Sequence, residues 1–332
     1  MPLKLAIVGA GHMADHFHLP ALAKCLEILR GGAELSGVID PDEGKRTGVM
    51  KRWRIARGYA GVSEMLDEMR PDAALVLVPY RLNGQVALEL MKHGIHMLME
   101  KPPAMSKAQM NELRALAREK NCIVQVGYNR RHWPAMKTAL EWIGESGQPI
   151  QHMRGTKHRT NRINEDYVFY TFSHVLDLLL SVGGEVVQMQ TIRQHIPSTE
   201  AFNFFITLGF RDGAVAQATG MPHVSFNQEF YEFHTLDSTV AVDQRWGTEE
   251  PAMIWQSRGQ HVVRRAEFSK GNERLETDGF TVQYSVFLHA LLHGGRAWPS
   301  LDDCAPTIEL AEALRAGRSW EADTGCPTPS AP

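Results

Sequence analysis

The sequence predicts an α/β protein: an N-terminal doubly wound parallel sheet, followed by an α+β domain with a large, mostly antiparallel open sheet. Up to Cys122, short β-branched apolar runs alternate with longer segments of helical period, which is typical of a parallel sheet covered by helices. Beyond Asn129, strand-like runs follow one another directly, which favours antiparallel pairing. The length of 332 residues favours two domains over one.

Strands and helices alternate regularly in the N-terminal part. The predicted strands are Leu3–Val8, Glu34–Ile39, Ala73–Val78, Ile95–Met99 and Ile123–Val126. The predicted helices are Met13–Leu29, Asp42–Arg52, Leu82–His93 and Lys107–Lys120. Ser106 directly precedes the last of these helices, where its hydroxyl can accept a hydrogen bond from a backbone N–H group.

The C-terminal part contains helices at both ends of a block of strands. The predicted helices are Pro134–Glu145, Tyr167–Val182, Thr281–Leu292 and Thr307–Ala316, and the strand-like runs extend from Val186 to about Phe268. We expect one domain over residues 1–122 and a second over 123–304. A helix within residues 305–325 is expected to return to the N-terminal domain, and residues 326–332 to form a frayed tail.

Composition excludes several classes of protein. The chain is 43% hydrophobic and 22% charged with a net charge of −3, so no strong field draws it to nucleic acid or membrane. The cysteines form no Cys-x-x-Cys pair and the histidines show no ligand spacing backed by carboxylates, so we expect no metal and a reducing, cytoplasmic setting. The N-terminal apolar run is too short for a signal peptide. The cysteines are Cys25, Cys122, Cys304 and Cys326.

A glycine-rich turn follows the first predicted strand and opens the first helix. In Gly9-Ala10-Gly11-His12-Met13-Ala14, the first glycine permits a tight turn, the second lets a pyrophosphate approach the backbone, and the small alanine lets helix and strand pack. This pattern predicts a Rossmann-type dinucleotide site; the alternative is a structural turn. The residues expected at the cofactor here are Gly9, Gly11, His12 and Met13.

Asp40 ends the second strand, where an acidic side chain can accept hydrogen bonds from both hydroxyls of an adenosine ribose. Asp40 therefore favours NAD over NADP, because a 2′-phosphate would meet like charge. Lys45 and Arg46 lie close enough in sequence to compensate that charge. A second interpretation of Asp40, compatible with the first, is a turn former before Pro41.

Lys101 lies where the strand Ile95–Met99 runs into Glu100-Lys101-Pro102-Pro103. Consecutive prolines end strand pairing because they have no N–H to donate, so Lys101 lies at the carboxyl edge of the sheet. Ligands bind at that edge of open parallel sheets. Taken alone, Lys101 is better interpreted as a solvated lysine at a strand end.

Four motifs together resemble the glucose-fructose oxidoreductase / inositol dehydrogenase (Gfo/Idh/MocA) family. They are the glycine turn, Leu75-Val76-Leu77-Val78-Pro79, Glu100-Lys101-Pro102 and Gly127-Tyr128-Asn129-Arg130-Arg131. The resemblance implies a Rossmann domain, a substrate domain on an open sheet that also makes dimer or tetramer contacts, and NAD(P)-dependent chemistry on sugars or polyols. It implies that Lys101 is catalytic, that Pro79 and Glu100 join Lys101 at the cofactor, and that a cis bond precedes Pro102.

The helix Tyr167–Val182 carries a polar stripe on an apolar circumference. At 100° per residue, Tyr170, His174, Asp177 and Ser181 share one face. In a buried helix, the polar side chains of such a stripe need water or specific polar partners, and we expect an interdomain cleft to provide them. The resemblance implies that His174 is the acid/base group; the alternative is a core histidine.

This helix also departs from the family pattern. Many members carry an aspartate four residues before the histidine, where this chain has Tyr170. A tyrosine can donate a hydrogen bond to a sugar hydroxyl or take part in proton relay. Asp177 either orients the His174 ring or anchors the helix.

Further substrate contacts are expected from two cationic segments. Lys157, Arg159 and Arg162 follow a predicted strand and would suit a carboxylate, phosphate or nucleotide-sugar; the alternative is a solvated loop. Asn129 and Arg130 lie where the chain leaves the Rossmann domain, so contact with cofactor or substrate competes with a hinge role.

The expected reaction is hydride transfer between nicotinamide and a carbinol or ketone carbon of a sugar, polyol or sugar derivative. Two alternatives stay open: a redox-neutral enzyme that cleaves glycosides or exchanges groups, and a non-catalytic protein that responds to dinucleotide. We expect a homodimer or homotetramer through the C-terminal sheet, and no nucleic-acid or membrane partner.

Overall fold

The apolar runs of the sequence form two sheets, which belong to different units of the chain. The computed structural model describes residues 2–164, 166–246, 250–268 and 274–321. The backbone divides into a first unit of residues 1–134 and 270–309 and a second unit of residues 135–269 and 310–332. The α/β class with a parallel and a mostly antiparallel sheet is confirmed. The tail 326–332, with Cys326, lies outside the described residues.

The strands and helices are numbered in chain order. The strands are β1 (Leu3–Val8), β2 (Ala33–Ile39), β3 (Gly58–Tyr59), β4 (Ala73–Val76), β5 (His96–Met99), β6 (Val124–Val126), β7 (His152–His158), β8 (Val186–His195), β9 (Phe202–Phe210), β10 (Val215–Met221), β11 (Asn227–His234), β12 (Thr239–Trp246), β13 (Ala252–Arg258), β14 (His261–Phe268) and β15 (Trp320–Glu321). The helices are α1 (Leu19–Leu29), α2 (Glu43–Trp53), α3 (Val62–Glu68), α4 (Asn83–Lys92), α5 (Lys107–Glu119), α6 (Pro134–Gly144), α7 (Ser173–Gly183), α8 (Arg274–Thr277), α9 (Phe280–His293) and α10 (Leu301–Arg315). Within the described residues, no helix has both the length and the apolar character needed to cross a lipid bilayer.

The first unit contains a parallel six-stranded sheet in the order β3-β2-β1-β4-β5-β6. Chain order reverses between β1 and β4, and such a switch point is where open parallel sheets bind ligands, beyond the carboxyl ends of the strands. Leu5, Ile7 and Leu75 of the sheet are fully buried, and they belong to one core with Leu22 of α1 and Phe287 of α9. Ser106 accepts a hydrogen bond from the backbone N–H of Gln109, which confirms the predicted start of α5.

The second unit contains a nine-stranded sheet in the order β14-β13-β12-β11-β7-β10-β9-β8-β15. Only β7 and β10 pair in parallel within it. Helix α7 packs closely on these two strands because glycines face it. A Cβ atom at Gly155 would lie 2.5 Å from Val175 Cγ1 of α7, and one at Gly220 would lie 2.8 Å from the ring of Phe172, the residue directly before α7.

The unit boundaries differ from those expected at residues 122 and 304. Strand β6 pairs in parallel with β5, so the first sheet continues past residue 122. Helix α9 contributes its buried side chains to the core of the first unit. Residues 305–309 belong to the first unit and 310–325 to the second, so the expected C-terminal helix is divided between them.

Two helices begin differently from the sequence prediction. The helix predicted from Met13 is a π-helix over Ala14–His18 before α1 begins at Leu19. The helix predicted from Thr307 begins at Leu301, although Pro306 lies inside it. A reciprocal cap explains the earlier start: the Ser300 N–H donates to the Asp303 carboxylate at 2.8 Å, and the Asp303 N–H faces the Ser300 hydroxyl at 3.4 Å.

Candidate active site

The predicted site residues divide between the two units. The first unit holds Gly9, Gly11, His12, Met13, Asp40, Pro79, Glu100, Lys101, Asn129 and Arg130, and the second holds Lys157, Arg159, Tyr170, His174 and Asp177. Among the described residues, no group of three or more His, Cys, Asp or Glu side chains is placed to hold a metal ion.

The glycine turn between β1 and the π-helix has the shape of a phosphate cradle. Gly9 has a φ of +104°, and a Cβ atom there would lie 2.4 Å from the Leu77 carbonyl oxygen, so only glycine fits. A Cβ atom at Gly11 would meet nothing within 4 Å, which leaves its backbone open to a ligand. Ala14 is fully buried where the helix packs on the sheet. These residues fit a dinucleotide pyrophosphate.

His12 and Met13 lie at the surface of this turn. The His12 ring stacks on His16 with centroids 4.1 Å apart, and the side chain of Met13 is 38% exposed. Both residues directly follow Gly11 and are accessible to a ligand. Their contact with a cofactor stays a prediction.

The Asp40 carboxylate is held against the glycine turn. Its Oδ2 accepts a hydrogen bond from the Ala10 N–H at 2.8 Å, and its Oδ1 accepts one from the Asp42 N–H at 2.9 Å. Each oxygen retains acceptor capacity for a ribose hydroxyl. Arg46 donates to the Asp40 carbonyl at 2.6 Å, and Lys45 pairs with Asp42 at 3.4 Å. Of the two cations expected near Asp40, Arg46 thus contacts it, whereas Lys45 pairs with Asp42 instead.

Lys101 follows β5 on a backbone fixed on both sides. The buried Asn83 amide donates to the carbonyls of Glu100 at 2.8 Å and Pro102 at 3.0 Å. The peptide bond between Lys101 and Pro102 is cis, as the family resemblance implies. The side chain of Lys101 is half-buried at the carboxyl end of the strand. Pro79 lies exposed beyond β4, at the same edge of the sheet.

Glu100 is hydrogen-bonded to the buried His18, whose Nε2 lies 3.0 Å from Glu100 Oε1. Burial by itself would raise the pKa of Glu100. The hydrogen bond and attraction of His18, and then the charge of Lys101, outweigh burial and lower that pKa. Glu100 is therefore a carboxylate next to Lys101 at neutral pH.

Asn129 and Arg130 are buried in the first unit and bonded there. The Asn129 amide donates to the Asp278 carbonyl at 2.8 Å, and its oxygen accepts from Arg130 at the same distance. The Arg130 guanidinium lies over the Trp133 ring, 5.0 Å from its centroid. These contacts give both residues a structural role, while substrate contact stays a prediction.

The polar stripe of the second unit begins in a π-helix over Val168–Phe172, which leads into α7. The wider π-turn breaks the assumed 100° spacing before His174. Tyr170 is half-buried and His174 and Asp177 are buried, whereas Ser181 is exposed and turns its hydroxyl to the Leu178 carbonyl. The stripe is therefore shorter than the sequence predicted and ends at Asp177.

Lys157 lies inside β7 and is only 1% exposed, so the solvated-loop interpretation is wrong for this residue. Its ammonium pairs with Glu229 of β11. Arg159 shares the same carboxylate at 3.2 Å, and the Tyr231 hydroxyl donates to its other oxygen at 2.9 Å. The Tyr167 hydroxyl donates to the Lys157 carbonyl at 2.6 Å, which joins this charged cluster to the chain entering α7.

Sequence reasoning missed several residues that support these features. Glu229 contacts Lys157 and Tyr231 and lies on the buried face of β11, whose residues alternate between buried and partly buried. An acidic residue at a position where the alternation predicts an apolar one can be recognised in the sequence. Asn83, His18 and Tyr284 carried no such signal, because their partners are remote in sequence.

Residues 3–128 match the family described as "Oxidoreductase family, NAD-binding Rossmann fold". The chain is 24% identical over 191 residues to UDP-N-acetylglucosamine 3-dehydrogenase of Acidithiobacillus ferrooxidans, covering 57% of this chain and 58% of that protein. It is 28% identical over 157 residues to scyllo-inositol 2-dehydrogenase (NAD(+)) of Bacillus subtilis, covering 47% and 44%. The matches thus span less than two thirds of these relatives.

The solved structure of levoglucosan dehydrogenase, in complex with NADH and levoglucosan, has the same fold. It superimposes with a TM-score of 0.82 at 15% identity, covering 98% of this chain and all of that one. Fold and glycine turn together define a protein with an NAD-binding Rossmann domain. The match over residues 3–128 confirms the resemblance of the motifs to the Gfo/Idh/MocA oxidoreductase family.

Proposed function

We propose that the protein is an NAD(P)-dependent oxidoreductase that transfers a hydride between nicotinamide and a carbinol or ketone carbon of a sugar, polyol or sugar derivative. One observation carries the proposal: the glycine cradle with its Asp40 contact and the fixed backbone of Lys101 lie at the carboxyl ends of strands of the same sheet. A dinucleotide bound across that edge would extend from Asp40 towards Lys101.

The residues of this chain manage the proton of the substrate. The bound dinucleotide supplies the hydride acceptor or donor. In the oxidising direction the hydroxyl must lose its proton as the hydride leaves. Lys101, as an ammonium, holds the hydroxyl oxygen by a hydrogen bond, and His174 takes the proton. Tyr170 donates a hydrogen bond to a neighbouring oxygen of the substrate, and Asp177 orients His174.

The substrate class is proposed from the relatives. The named relatives act on an inositol and on a nucleotide sugar, and levoglucosan is bound in the solved structure. Among the cations of the second unit, Arg159 is better placed than Lys157 to contact an anionic substrate group. Both pair with Glu229, but the Arg159 side chain is 11% exposed and that of Lys157 only 1%. Asn129 and Arg130 would support substrate contacts from the first unit.

NAD is the proposed cofactor in preference to NADP. The Asp40 carboxylate is fixed by two backbone N–H groups, so it cannot move aside easily for a 2′-phosphate. Arg46, which donates to the Asp40 carbonyl, offsets part of that repulsion. We expect measurable but weaker use of NADP.

The experiment that tests the proposed function is a substrate panel on the purified full-length chain. Co-purifying dinucleotide is first identified by mass spectrometry. A panel of sugars, polyols, inositols and sugar acids is then assayed with NAD and NADP by absorbance at the reduced nicotinamide band. NADH formation with at least one member supports the proposal. Binding of NAD without turnover of any member contradicts it, and product without net NADH indicates the redox-neutral alternative.

We also propose that the chain forms a homodimer or homotetramer through the nine-stranded sheet. On the face opposite α7, Ile192 of β8 is 69% exposed and lies beside Phe205 of β9, which is 37% exposed. Paired exposed apolar side chains on a sheet favour burial against another surface. Light scattering after size exclusion tests this: Ile192→Lys with Phe205→Lys should convert an oligomer to a monomer, and a wild-type monomer contradicts the proposal.

A further inference from the structure

A buried chain of hydrogen bonds leads to the residue before Lys101. The Tyr284 hydroxyl oxygen lies 2.8 Å from His18 Nδ1, and His18 Nε2 lies 3.0 Å from Glu100 Oε1. Tyr284 and His18 are fully buried, and the Glu100 side chain is 15% exposed. These three residues belong to α9, to the π-helix after the glycine turn and to the end of β5. The chain therefore joins the cofactor turn to the Lys101 backbone within the first unit.

The direction of each proton follows from the chemistry of the groups. A carboxylate only accepts, so His18 donates from Nε2–H to Glu100. Burial, and then the charges of Glu100 and Cys25, raise the pKa of Tyr284 well above its usual range, so this tyrosine keeps its proton. Its hydroxyl accepts from Nδ1–H of an imidazolium or donates to Nδ1 of a neutral ring, and in both forms the Nε2–H of His18 stays directed at Glu100.

The titratable groups facing Glu100 are few. His18 faces it from the π-helix, Lys101 follows it in the chain, and Tyr284 faces it through His18 from α9. Cys25 of α1 lies near Tyr284, and burial raises the pKa of its thiol, which keeps it neutral. Lys101, the next residue in the chain, adds a positive charge that lowers the pKa of Glu100 further.

We propose that Tyr284 and His18 are positioning residues that hold Glu100 as a carboxylate beside Lys101. This inference rests on the proposed function, because the carboxylate favours the ammonium form of Lys101 that holds the substrate oxygen. The two residues act through Glu100, so they need not touch the substrate or the cofactor. Tyr284 and His18 are remote from Lys101 in sequence, and only the fold brings them to the side chain of Glu100, the residue before it.

A direct test follows the protonation of Glu100 without using activity. Full-length protein is labelled with ¹³C at the glutamate carboxyl carbon, and the resonance missing in Glu100→Gln is that of Glu100. In Tyr284→Phe the His18 ring loses its partner at Nδ1 and its Nε2–H is held less firmly on Glu100, so the Glu100 titration midpoint should rise by about one pH unit. An unchanged midpoint overturns the proposal, whatever the enzyme does.

The matched control is Tyr59→Phe. Tyr59 is 2% exposed, and its hydroxyl has no hydrogen-bond partner among the described residues, so this change also removes a buried hydroxyl from the first unit. It should leave the Glu100 midpoint in place. If Tyr284→Phe does not fold, His18→Gln and His18→Leu replace it. The glutamine can still donate to Glu100 and should keep the midpoint lower than the leucine does, and equal midpoints contradict the proposal.

A kinetic test separates positioning from general structural damage. Loss of the donor makes Glu100 easier to protonate, so the ratio of kcat/KM in Tyr284→Phe to that of the wild type should fall as the pH falls through the raised Glu100 midpoint. In the Glu100→Gln background the same change should have no further effect, because the group through which Tyr284 acts is gone. Additive losses in the double variant, or a pH-independent loss in the single one, overturn the proposal. Failure of the proposed function would instead remove turnover from the wild type and leave the ¹³C titration interpretable.

Discussion

At the scale of single residues, most of the first unit's site follows from local chemistry. The glycine turn, Asp40 and Lys101 could be predicted because each lies directly after a strand, and strand ends are visible in the sequence. Asn83 and His18 could not be predicted, because their roles come from contacts with Glu100 across the fold. Lys157 was misjudged as a loop residue, because Glu229, the partner that permits its burial, lies 72 positions away.

Asp40 should determine the choice between NAD and NADP. Asp40→Ser removes the charge that repels a 2′-phosphate and leaves Arg46, which donates to the carbonyl of the same residue. Since a hydrogen bond to a charged group contributes about 1.5–3 kcal/mol, we expect NAD affinity to fall by about 10-fold or more and the NAD/NADP preference to fall at least as much. Fluorescence titration with both reduced cofactors measures this. Asp67→Ser, at an exposed position, is the control. An unchanged NAD/NADP preference in Asp40→Ser would show that Asp40 does not bind the ribose hydroxyls.

His132 should make the protein less stable in mild acid. Burial, helped by the charge of Arg131, lowers the pKa of His132 to about 4 from an ordinary value of 6.5. Below pH 6.5 the unfolded chain binds a proton that the folded chain refuses, so stability present above pH 6.5 is lost as the pH falls towards 4. Between pH 7.5 and 5 this amounts to about 2 kcal/mol.

Urea unfolding of wild type and His132→Gln at these two pH values measures that contribution. The variant is expected to start less stable and to lose less stability on acidification. A pH dependence equal to that of the wild type would exclude His132 as a source of the acid sensitivity.

At the scale of elements, the helical period of the sequence predicts the burial of α7 but not the angle between the side chains that lead into it. The apolar circumference of the helix predicted its burial correctly. The π-helix over Val168–Phe172 changes the angle between Tyr170 and His174, and no spacing rule in the sequence indicates it. Short elements such as β3 and α3 were also missed, because neither is long enough to show a period.

The close packing of α7 on the sheet should depend on glycine at position 155, which has no Cβ atom. Gly155→Ala would place a methyl group 2.5 Å from Val175 Cγ1, so the helix must shift. We expect a loss of about 1–3 kcal/mol, seen as a thermal midpoint lower by several degrees. At Gly144, in the same unit, a Cβ atom meets nothing within 4 Å, so Gly144→Ala is the matched control. Equal midpoints for the two variants would show that the helix tolerates displacement.

At the scale of the whole molecule, the two fold classes could be predicted because strand–helix alternation gives way to consecutive strands. The unit boundaries could not be predicted, because the chain returns to the first unit after residue 269 and α9 contributes to the core of that unit. That return also supplies Tyr284, so the part of the chain that completes the fold also carries the support of Glu100.

We propose that this chain transfers a hydride while the Lys101 ammonium is hydrogen-bonded to the reacting hydroxyl of the substrate. The most direct measurement compares turnover and NADH affinity in Lys101→Met, using the substrate that the panel identifies. Turnover should fall by at least about 10²-fold while NADH affinity stays within a few-fold, because the ammonium acts on the substrate oxygen. The exposed Lys92→Met should behave as wild type. Undiminished turnover in Lys101→Met would contradict the account.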